Sequence, residues 1–466
     1  MTKKRSIEST ESSTASSASK KSVKSRHLTF DEVAAIIQSG DSDKLREVIE
    51  YGIVCNVNVL LDEKSLLMVA CQRGHIECAR VLLDHKADIN YGLLSYYSVL
   101  QSACLSGNSD MLRFIINRGV TINDQIMSGL ISDRKIMRHS LIATILVEYI
   151  QDVNHTYNQQ SILYQACRGG SMHAATVLLE RGARLEDNWY HPLDGAACGG
   201  NLEVIKLLLS WYTKEESMPH CRVQKALKSA SKFGHMEVVR YLVEYGTDAI
   251  ALNAALYEAV ESNRVEVAAF LLDKGADFYA ISDSHYNSWI CACYLESVRM
   301  VRLFLDRGAD PNTTDVRGDS PLKAALCSSR YCPSRQKLIK VLLEHGADPN
   351  QPSLDGYTPL LQLALSKGER PHSEYIQAVA LLLEFGANPN LAYAGIGETA
   401  LMSAALDLDV DLVRLLLEHG ADVTQVDRAG RSVLNMLGRA RKYRQIVELC
   451  TNYIECNKPG AKQVLK

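Results

Sequence analysis

The sequence has no apolar run long enough to cross a bilayer and no surplus of charge of one sign. The net charge is −3 over 466 residues, so a general electrostatic footprint for nucleic acid or a membrane surface is missing. We therefore expect no membrane insertion and do not expect nucleic acid as a partner. Residues 1–27 lack an apolar core, which argues against a secretory signal. These absences favour the cytoplasm, with the nucleus as the alternative location.

Cysteines occur, but not at the spacing of a disulfide framework or a zinc site. The closest pairs, Cys291 with Cys293 and Cys327 with Cys332, have no second ligand pair nearby at zinc-site spacing. A nucleophile elbow, a phosphate-binding loop and a His-Glu-x-x-His sequence are missing too. We therefore expect no metal, no cofactor and no enzymatic activity.

One short pattern recurs along almost the whole chain. In its clearest copy, residues 397–422, Thr399 opens a short helix, and Leu412 and Leu416 lie on the apolar face of a second, amphipathic helix. Gly420 follows, a residue suited to the positive φ that often ends a helix. Because two short helices and a turn cannot close a core alone, each unit needs neighbours.

The turn after the second helix repeats as well. It reads Gly-Ala-Asp-Pro-Asn or a close variant from Gly275, Gly308, Gly346, Gly386 and Gly420. The helix starts at 191–193, 320–322 and 358–360 have a common form, namely His-Pro-Leu, Ser-Pro-Leu and Thr-Pro-Leu. A spacing of 33 residues separates Asp277 from Asp310. Together these features resemble ankyrin repeats, which implies an all-α ankyrin-repeat solenoid of about 12–13 helix-turn-helix units with β-hairpin-like turns.

The repeat register sets the expected domain limits. Residues 1–28 are predicted to be a disordered tail rich in Ser and Lys, residues 29–450 the array, and residues 451–466 a C-terminal tail. Within the array we recognise twelve units and one degenerate unit at 124–154. The degenerate unit marks either a bend between two sub-stacks or ordinary drift of the repeat. Extra residues separate the two helices near 327–336 and 366–374.

The register also assigns structural roles to residues that would otherwise suggest chemistry. The second small position of the opening helix is occupied by Cys71, Cys104, Cys167 and Cys293, where cysteine is expected as a small buried hydrophobe. Trp289 is expected in the core, and His75 and His235 are expected to stabilise the turn between helices. Tyr212 stands where glycine is expected, and residues 213–220 are predicted to form a loop in place of the usual exit turn.

Departures from the repeat pattern indicate candidate contact residues. The turn tips carry aromatic side chains, the type enriched at interface hot spots: Tyr96, Tyr97, Trp189, Tyr190, Tyr286 and Tyr357. Extra residues in solenoid repeats usually form loops on one edge, and the first of these insertions contributes Arg330, Tyr331 and Arg335. The family resemblance implies binding through turn tips and the concave face of the opening helices.

The sequence therefore favours a non-enzymatic scaffold or adaptor that binds one or more proteins. Three alternatives remain: a nuclear or cytosolic regulatory inhibitor or co-regulator, a ubiquitin-ligase substrate receptor, and a host-directed effector. The basic clusters at 3–5 and 20–26 are consistent with a nuclear-import signal or simply with a solvated tail. The identity of the partner and the oligomeric state stay open.

Overall fold

The computed structural model describes residues 28–457, except 55, 59, 62–63, 92–97, 123, 158, 186–189, 216–219, 282–285, 328–333, 366–371 and 439. The chain divides into two compact units. One holds the residues up to Leu130 together with Glu148–Ile150, and the other holds Ile131–Val147 and the residues from Gln151 onward. This boundary falls inside the predicted degenerate unit. The predicted N-terminal tail lies outside the described residues, apart from its last residue.

The first unit contains two layers of helices. The first-helix layer consists of α1 (Phe30–Ser39), α3 (Leu66–Arg73) and α5 (Val99–Leu105). The second-helix layer consists of α2 (Ser42–Glu50), α4 (Ile76–Asp84) and α6 (Ser109–Asn117). Each helix packs on its own partner and on the equivalent helix of the next repeat.

The stretch predicted to be degenerate contains three helices rather than two. They are α7 (Asp124–Ser132), α8 (Arg134–Met137) and α9 (Ser140–Glu148). The short α8 packs on the following helix α10 (Ile162–Gly169), and both belong to the second unit. A side chain at Gly169 would collide with Met137, since an added Cβ would lie 2.6 Å from the Met137 carbonyl oxygen.

The second unit also contains two layers of helices. Its first-helix layer comprises α10, α12 (Pro192–Gly199), α14 (His220–Phe233), α16 (Ala249–Glu261), α18 (Ser288–Tyr294), α20 (Pro321–Cys327), α22 (Pro359–Leu365), α24 (Ala400–Leu406) and α26 (Val433–Leu437). Its second-helix layer comprises α11 (Met172–Glu180), α13 (Leu202–Glu215), α15 (Met236–Gly246), α17 (Val265–Asp273), α19 (Val298–Asp306), α21 (Arg335–Glu344), α23 (His372–Glu384), α25 (Val410–Glu418) and α27 (Arg444–Asn457). Across both units the described residues thus form twelve helix pairs besides α7–α9.

The turns between repeats are hairpin-like, as the sequence predicts. Two are short antiparallel ladders, β1 (Leu60–Leu61) with β2 (Lys64–Ser65) and β3 (Thr156–Tyr157) with β4 (Gln160–Ser161). Later turns close with single antiparallel bridges: Ile281 with Asn287, Ala392 with Thr399, and Val426 with Ser432. The predicted fold class is therefore confirmed. Among the described helices, none has both the length and the apolar character that a bilayer span requires.

Small residues allow the paired helices to approach closely. Cys71, Cys104, Cys167 and Cys293 are fully buried, and so is Trp289, as the repeat register predicts. Burial raises the pKa of the Cys71 and Cys167 thiols well above the usual range, so both side chains stay neutral. These cysteines serve as core hydrophobes.

At several steps along the array, an asparagine side chain bonds one turn to the next. In Asn350, Nδ2 donates to the Gly386 carbonyl at 3.0 Å while Oδ1 accepts from the Asn388 amide at 2.7 Å. Asn58, Asn154, Asn312 and Asn390 make an equivalent pair of bonds. Asn90 Oδ1 accepts in the same way from the Thr121 amide at 2.8 Å. At one step Tyr279 substitutes, since its hydroxyl accepts from the Asp310 amide at 2.8 Å. The turns are therefore held in register by side chains as well as by helix packing.

A second series of contacts joins the turns between paired helices. His75 Nε2 bonds to the Gln38 carbonyl at 3.3 Å, and His235 Nε2 bonds to the Cys198 carbonyl at 3.0 Å. Asn201 occupies the equivalent position, and its Nδ2 donates to the Cys167 carbonyl at 3.0 Å. This confirms that the two histidines stabilise turns.

Three predicted limits need correction. Helix α13 runs to Glu215 and α14 begins at His220, so residues 213–215 and 220 of the predicted exit loop 213–220 are helical. Tyr212, which precedes that loop, is also helical and is 5% exposed. Helices α21 and α23 begin at Arg335 and His372, inside the predicted insertions 327–336 and 366–374. Helix α27 continues to Asn457, past the predicted end of the array at 450, and Tyr453 and Ile454 in this added part are half-buried.

Candidate interaction surface

Three predicted contact residues occupy one position of the repeat. Tyr190, Tyr286 and Tyr357 each lie two residues before the first residue of a first-layer helix, namely α12, α18 and α22. Tyr190 is 38% exposed, and the other two are partly buried. Because they share this position, they lie along the same edge, where the turns meet the first-helix layer.

Tyr190 is held in place by an aromatic neighbour of the preceding repeat. Its ring meets Tyr164 of α10 edge to face, with centroids 5.4 Å apart. Tyr164 is almost fully buried, and desolvation raises its pKa to about 12. The exposed ring of Tyr190 therefore rests on a rigid base.

Tyr286 belongs to a cluster that spans two repeats. The Arg317 guanidinium lies 4.6 Å from the centre of the Tyr286 ring and donates to its hydroxyl at 2.5 Å. Tyr294 packs edge to face on Tyr286, at 5.4 Å between centroids, and donates to Asp319 at 2.6 Å. Lys323 completes the cluster at 2.5 Å from Asp319. Burial and the Asp319 contact raise the pKa of Tyr294 far above its usual value.

Tyr357 stacks on the equivalent turn of the next repeat. Its ring is parallel to that of Tyr393, with centroids 4.3 Å apart and an interplanar angle of 2°. The two turns are thereby joined by aromatic contact at their tips.

Apolar side chains at the same turns were missed by the sequence analysis. Each of five successive turns exposes one large apolar side chain: Ile281 (60%), Val316 (58%), Leu354 (75%), Ile396 (56%) and Val426 (53%). We call this row, with Tyr190, Tyr286, Tyr357 and Tyr393, the turn edge. At Val316 and Leu354 the available signal was an isolated apolar residue inside a polar turn sequence, whereas Ile281 and Ile396 follow other apolar residues and stand out less.

Arg335 does not belong to this surface. It is 2% exposed, since Nε and Nη2 donate to Glu296 Oε1 at 3.0 and 2.8 Å and Nη1 lies 3.5 Å from Glu374. The prediction that Arg335 contacts a partner is therefore wrong. The other predicted positions, Tyr96, Tyr97, Trp189, Arg330 and Tyr331, lie outside the described residues.

The burial of Arg335 follows from where its carboxylate partners stand. Glu296 directly precedes the N-cap of α19, Arg335 begins α21, and Glu374 lies in the first turn of α23. Each helix N-terminus carries a partial positive charge of about half an elementary charge, which helps to balance two carboxylates against one guanidinium. Glu296 has φ 54°, at the position where Gly234 has φ 81° in an earlier repeat. A strained, charged residue has thus replaced glycine and is stabilised by the ion pair.

Helix α14 presents a row of cations on the first-helix layer. Arg222, Lys225, Lys228 and Lys232 recur at three- and four-residue spacing, so they share one face of the helix, which we call the lysine face. The helix sequence contains no Asp or Glu. The charge of this face escaped notice because the whole chain is nearly neutral.

A buried histidine–tyrosine pair underlies the start of α12. His191 Nδ1 accepts from the Leu193 amide at 3.1 Å, and Nε2 bonds to the Tyr212 hydroxyl. Desolvation, with Arg222 and Lys225 nearby, lowers the pKa of His191 to about 3. The ring is therefore neutral, and because Nδ1 accepts, the proton is on Nε2. Tyr212 in turn donates to the Leu185 carbonyl at 3.4 Å, which accounts for tyrosine in place of glycine.

Comparison with known families agrees with this architecture. A family model described as "Ankyrin repeats (3 copies)" matches residues 33–126, 193–282, 288–393, 334–427 and 370–459, together well over half of the chain. The resemblance seen in the sequence is thereby confirmed.

Curated relatives are distant and longer. The ankyrin repeat and KH domain-containing protein mask-1 of Caenorhabditis elegans is 25% identical over 275 residues, which cover 48% of this chain and 10% of that protein. The ankyrin repeat protein FPV018 of fowlpox virus (strain NVSL) is 25% identical over 317 residues, covering 66% of this chain and 42% of that protein. The chain thus spans less than half the length of either relative.

Solved structures of ankyrin repeat domains also match parts of the chain. A domain from Acinetobacter baumannii AYE is 28% identical, with a TM-score of 0.38, and covers 42% of this chain and 98% of its own. The ankyrin repeat domain of Bcl-3 is 26% identical, with a TM-score of 0.42, covering 48% of this chain and 97% of its own.

Proposed function

Because the chain belongs to the ankyrin-repeat family, whose repeats are generally protein–protein interaction modules, we propose that it is a scaffold or adaptor that binds a protein partner along the turn edge. The observation that carries this proposal is the alignment of exposed apolar and aromatic side chains in successive turns of the second unit. A row of exposed apolar side chains in five successive turns is uncommon on a surface without a partner.

The aromatic side chains of this edge are already ordered. Tyr190 rests on Tyr164, Tyr286 is clamped by Arg317, and Tyr357 stacks on Tyr393. Binding would therefore immobilise few additional rotamers, which lowers the entropic cost of association. Tyrosine is also one of the residue types enriched at interface hot spots.

The spacing of the turns indicates the shape of the partner. Neighbouring helices pack about 8–10 Å apart, so five successive turns extend over roughly 40 Å. A partner that contacts the whole row must be an extended segment or a broad surface. We take the role to be non-enzymatic, since the ankyrin fold is typically an interaction domain, and the predicted cytoplasmic or nuclear location is part of this proposal.

Site-specific photocrosslinking in the full chain tests the proposal. A benzophenone amino acid would replace Tyr190, Tyr286 or Tyr357 in turn, with Tyr245 on second-layer helix α15 as the matched control, since it is 43% exposed. We expect one and the same partner to be crosslinked from all three edge positions and not from Tyr245. Crosslinks that are equally frequent from Tyr245, or that are missing from all three edge positions, would refute it.

A further inference from the structure

We propose that the cavity between α12, α14 and α16 binds an acidic peptide segment of the partner protein, a refinement that rests on the proposed function. The cavity has a volume of about 290 Å³. This is at the lower limit for ligand sites and suits one or two side chains. Its lining residues are Asp194, Lys225, Lys228, Ser229, Lys232 and Glu258. The site thus combines three ammonium groups with two carboxylates.

The cations of this cavity are not fully neutralised by their neighbours. Lys228 and Lys232 lie 3.9 and 3.2 Å from Glu258, and Lys232 also lies 3.7 Å from Glu261. Within the described part of the chain, Lys225 has no carboxylate at ion-pair distance, and it is exposed. A carboxylate that entered beside Lys225 would therefore gain a charge-assisted contact without first breaking one.

Asp194 is a hydrogen-bond acceptor in the wall of a cavity that otherwise favours a negatively charged ligand. Its Oδ1 atom is buried and has no hydrogen-bond donor within the described structure. Desolvation raises the pKa of this carboxyl to about 6, against the opposing effect of Lys225 and Arg222. A ligand that lies against Asp194 is therefore favoured if it offers a hydrogen-bond donor as well as negative charge.

An acidic peptide meets both requirements, because its backbone N–H can donate to Asp194 while a Glu or Asp side chain accepts from Lys225 and Lys228. The phosphates of a nucleic acid offer no donor at neutral pH and would face Asp194, Glu258 and Glu261 at close range. The alternation of charge across α12, α14 and α16 thus favours a short acidic segment over a continuous polyanion.

The lysine face also adjoins one end of the turn edge. Tyr190 lies two residues before α12, the helix that carries Asp194. A partner segment that packs on Tyr190 can therefore continue across α12 toward Lys225. This continuity connects the apolar edge with the charged cavity in one surface.

A binding experiment with a defined probe tests the inference. The probe is a fluorescein-labelled peptide of four Gly-Glu pairs, and the control peptide carries Gln in place of every Glu. We expect fluorescence anisotropy with the full chain to show at least tenfold tighter binding of the Glu peptide, with affinity falling as salt rises. The double variant K225Q/K228Q should weaken binding at least tenfold, because it removes both ammonium groups that contact the peptide carboxylate.

Two controls make the outcome decisive. K206Q/K340Q removes two exposed lysines of second-layer helices and should leave binding unchanged. Carbodiimide, which couples carboxylates to amines in contact, should attach the bound Glu peptide to Lys225 or Lys228. Equal binding of the two peptides, no effect of K225Q/K228Q, or tighter binding of a 15-nucleotide oligothymidine would overturn the inference.

Failure of this inference can be told apart from failure of the proposed function. If photocrosslinking from the turn edge succeeds while the Glu peptide does not bind, only the acidic-peptide assignment falls. If the Glu peptide binds but no partner is crosslinked from the turn edge, the scaffold proposal falls and the cavity assignment stands.

Discussion

The buried ion pair of Arg335 yields a quantitative prediction. The guanidinium lies 2.8 Å from Glu296, and both side chains are 2% exposed. With an effective dielectric constant of about 20, the attraction at this distance is roughly 6 kcal/mol. Desolvation of the two ions costs about as much, so the intact pair contributes little net stability. Removing the arginine alone leaves two buried carboxylates without their cation.

We therefore expect Arg335→Met to destabilise the fold by about 3–5 kcal/mol, the usual cost of an uncompensated buried charge. The positive ends of α19, α21 and α23 should keep the loss at the lower end of that range. The double variant Arg335→Met/Glu296→Leu should recover much of it, because only Glu374 then stays unpaired. Its side chain is 12% exposed and can reach water more readily.

Urea unfolding followed by circular dichroism measures the stability of Arg335→Met, Glu296→Leu and the double variant against the unchanged protein. Hydrogen exchange of α19–α23 should accompany it, since repeat arrays can lose structure locally. The matched control is Arg299→Met, because Arg299 forms an ion pair with Glu266 at 3.3 Å in which both side chains are largely exposed. That variant should cost less than about 1 kcal/mol. The reasoning is refuted if Arg335→Met costs no more than Arg299→Met, or if the double variant is as unstable as the sum of its singles.

Two further variants probe other parts of the second unit. Asp194→Asn should raise stability by about 1–3 kcal/mol at pH 7, because desolvation raises the folded-state pKa from 3.8 to about 6. The gain in stability should shrink as the pH falls from 6 to 4, because in this range the Asp194 carboxyl is protonated in the folded protein but ionised in the unfolded chain. Urea titrations at several pH values measure the gain, and a gain that does not depend on pH contradicts the prediction. Asn350→Ala removes the bonds to Gly386 and Asn388 and should cost about 1–2 kcal/mol locally. We expect hydrogen exchange in that turn to be faster in this variant, with Asn452→Ala, a change at an exposed residue, as the control. Unchanged exchange would argue against a stabilising role for these asparagines.

The repeat register could be predicted because local chemistry sets it. Helix starts, turn glycines and small buried positions depend on residues close in sequence, so Cys71 and Trp289 could be assigned to the core without coordinates. The aromatic residues before the first-layer helices were found for the same reason. Their neighbours in space, such as Tyr164 beneath Tyr190, required the structure.

The failures have a common physical cause. Arg335 looked like an exposed loop residue because its partner Glu296 lies 39 residues away and occupies a position that glycine usually fills. Tyr212 stood in the sequence only as a departure from the expected glycine, because its bonding partner His191 lies 21 residues away. The burial of both side chains depends on contacts between repeats, and such contacts leave no periodic signal in a single sequence.

The charged cavity lies where the first-layer helices α14 and α16 are unusually long. These helices have 14 and 13 residues, compared with 7 for α18, α20, α22 and α24. Their extra N-terminal residues are helical where other repeats form a hairpin-like turn, and so the first-helix layer is longer there. The added helical turns carry Arg222 and Lys225. The lysine face therefore lies between Tyr190 and the part of the turn edge that begins at Ile281. A partner that spans both surfaces must combine an acidic segment with an apolar one.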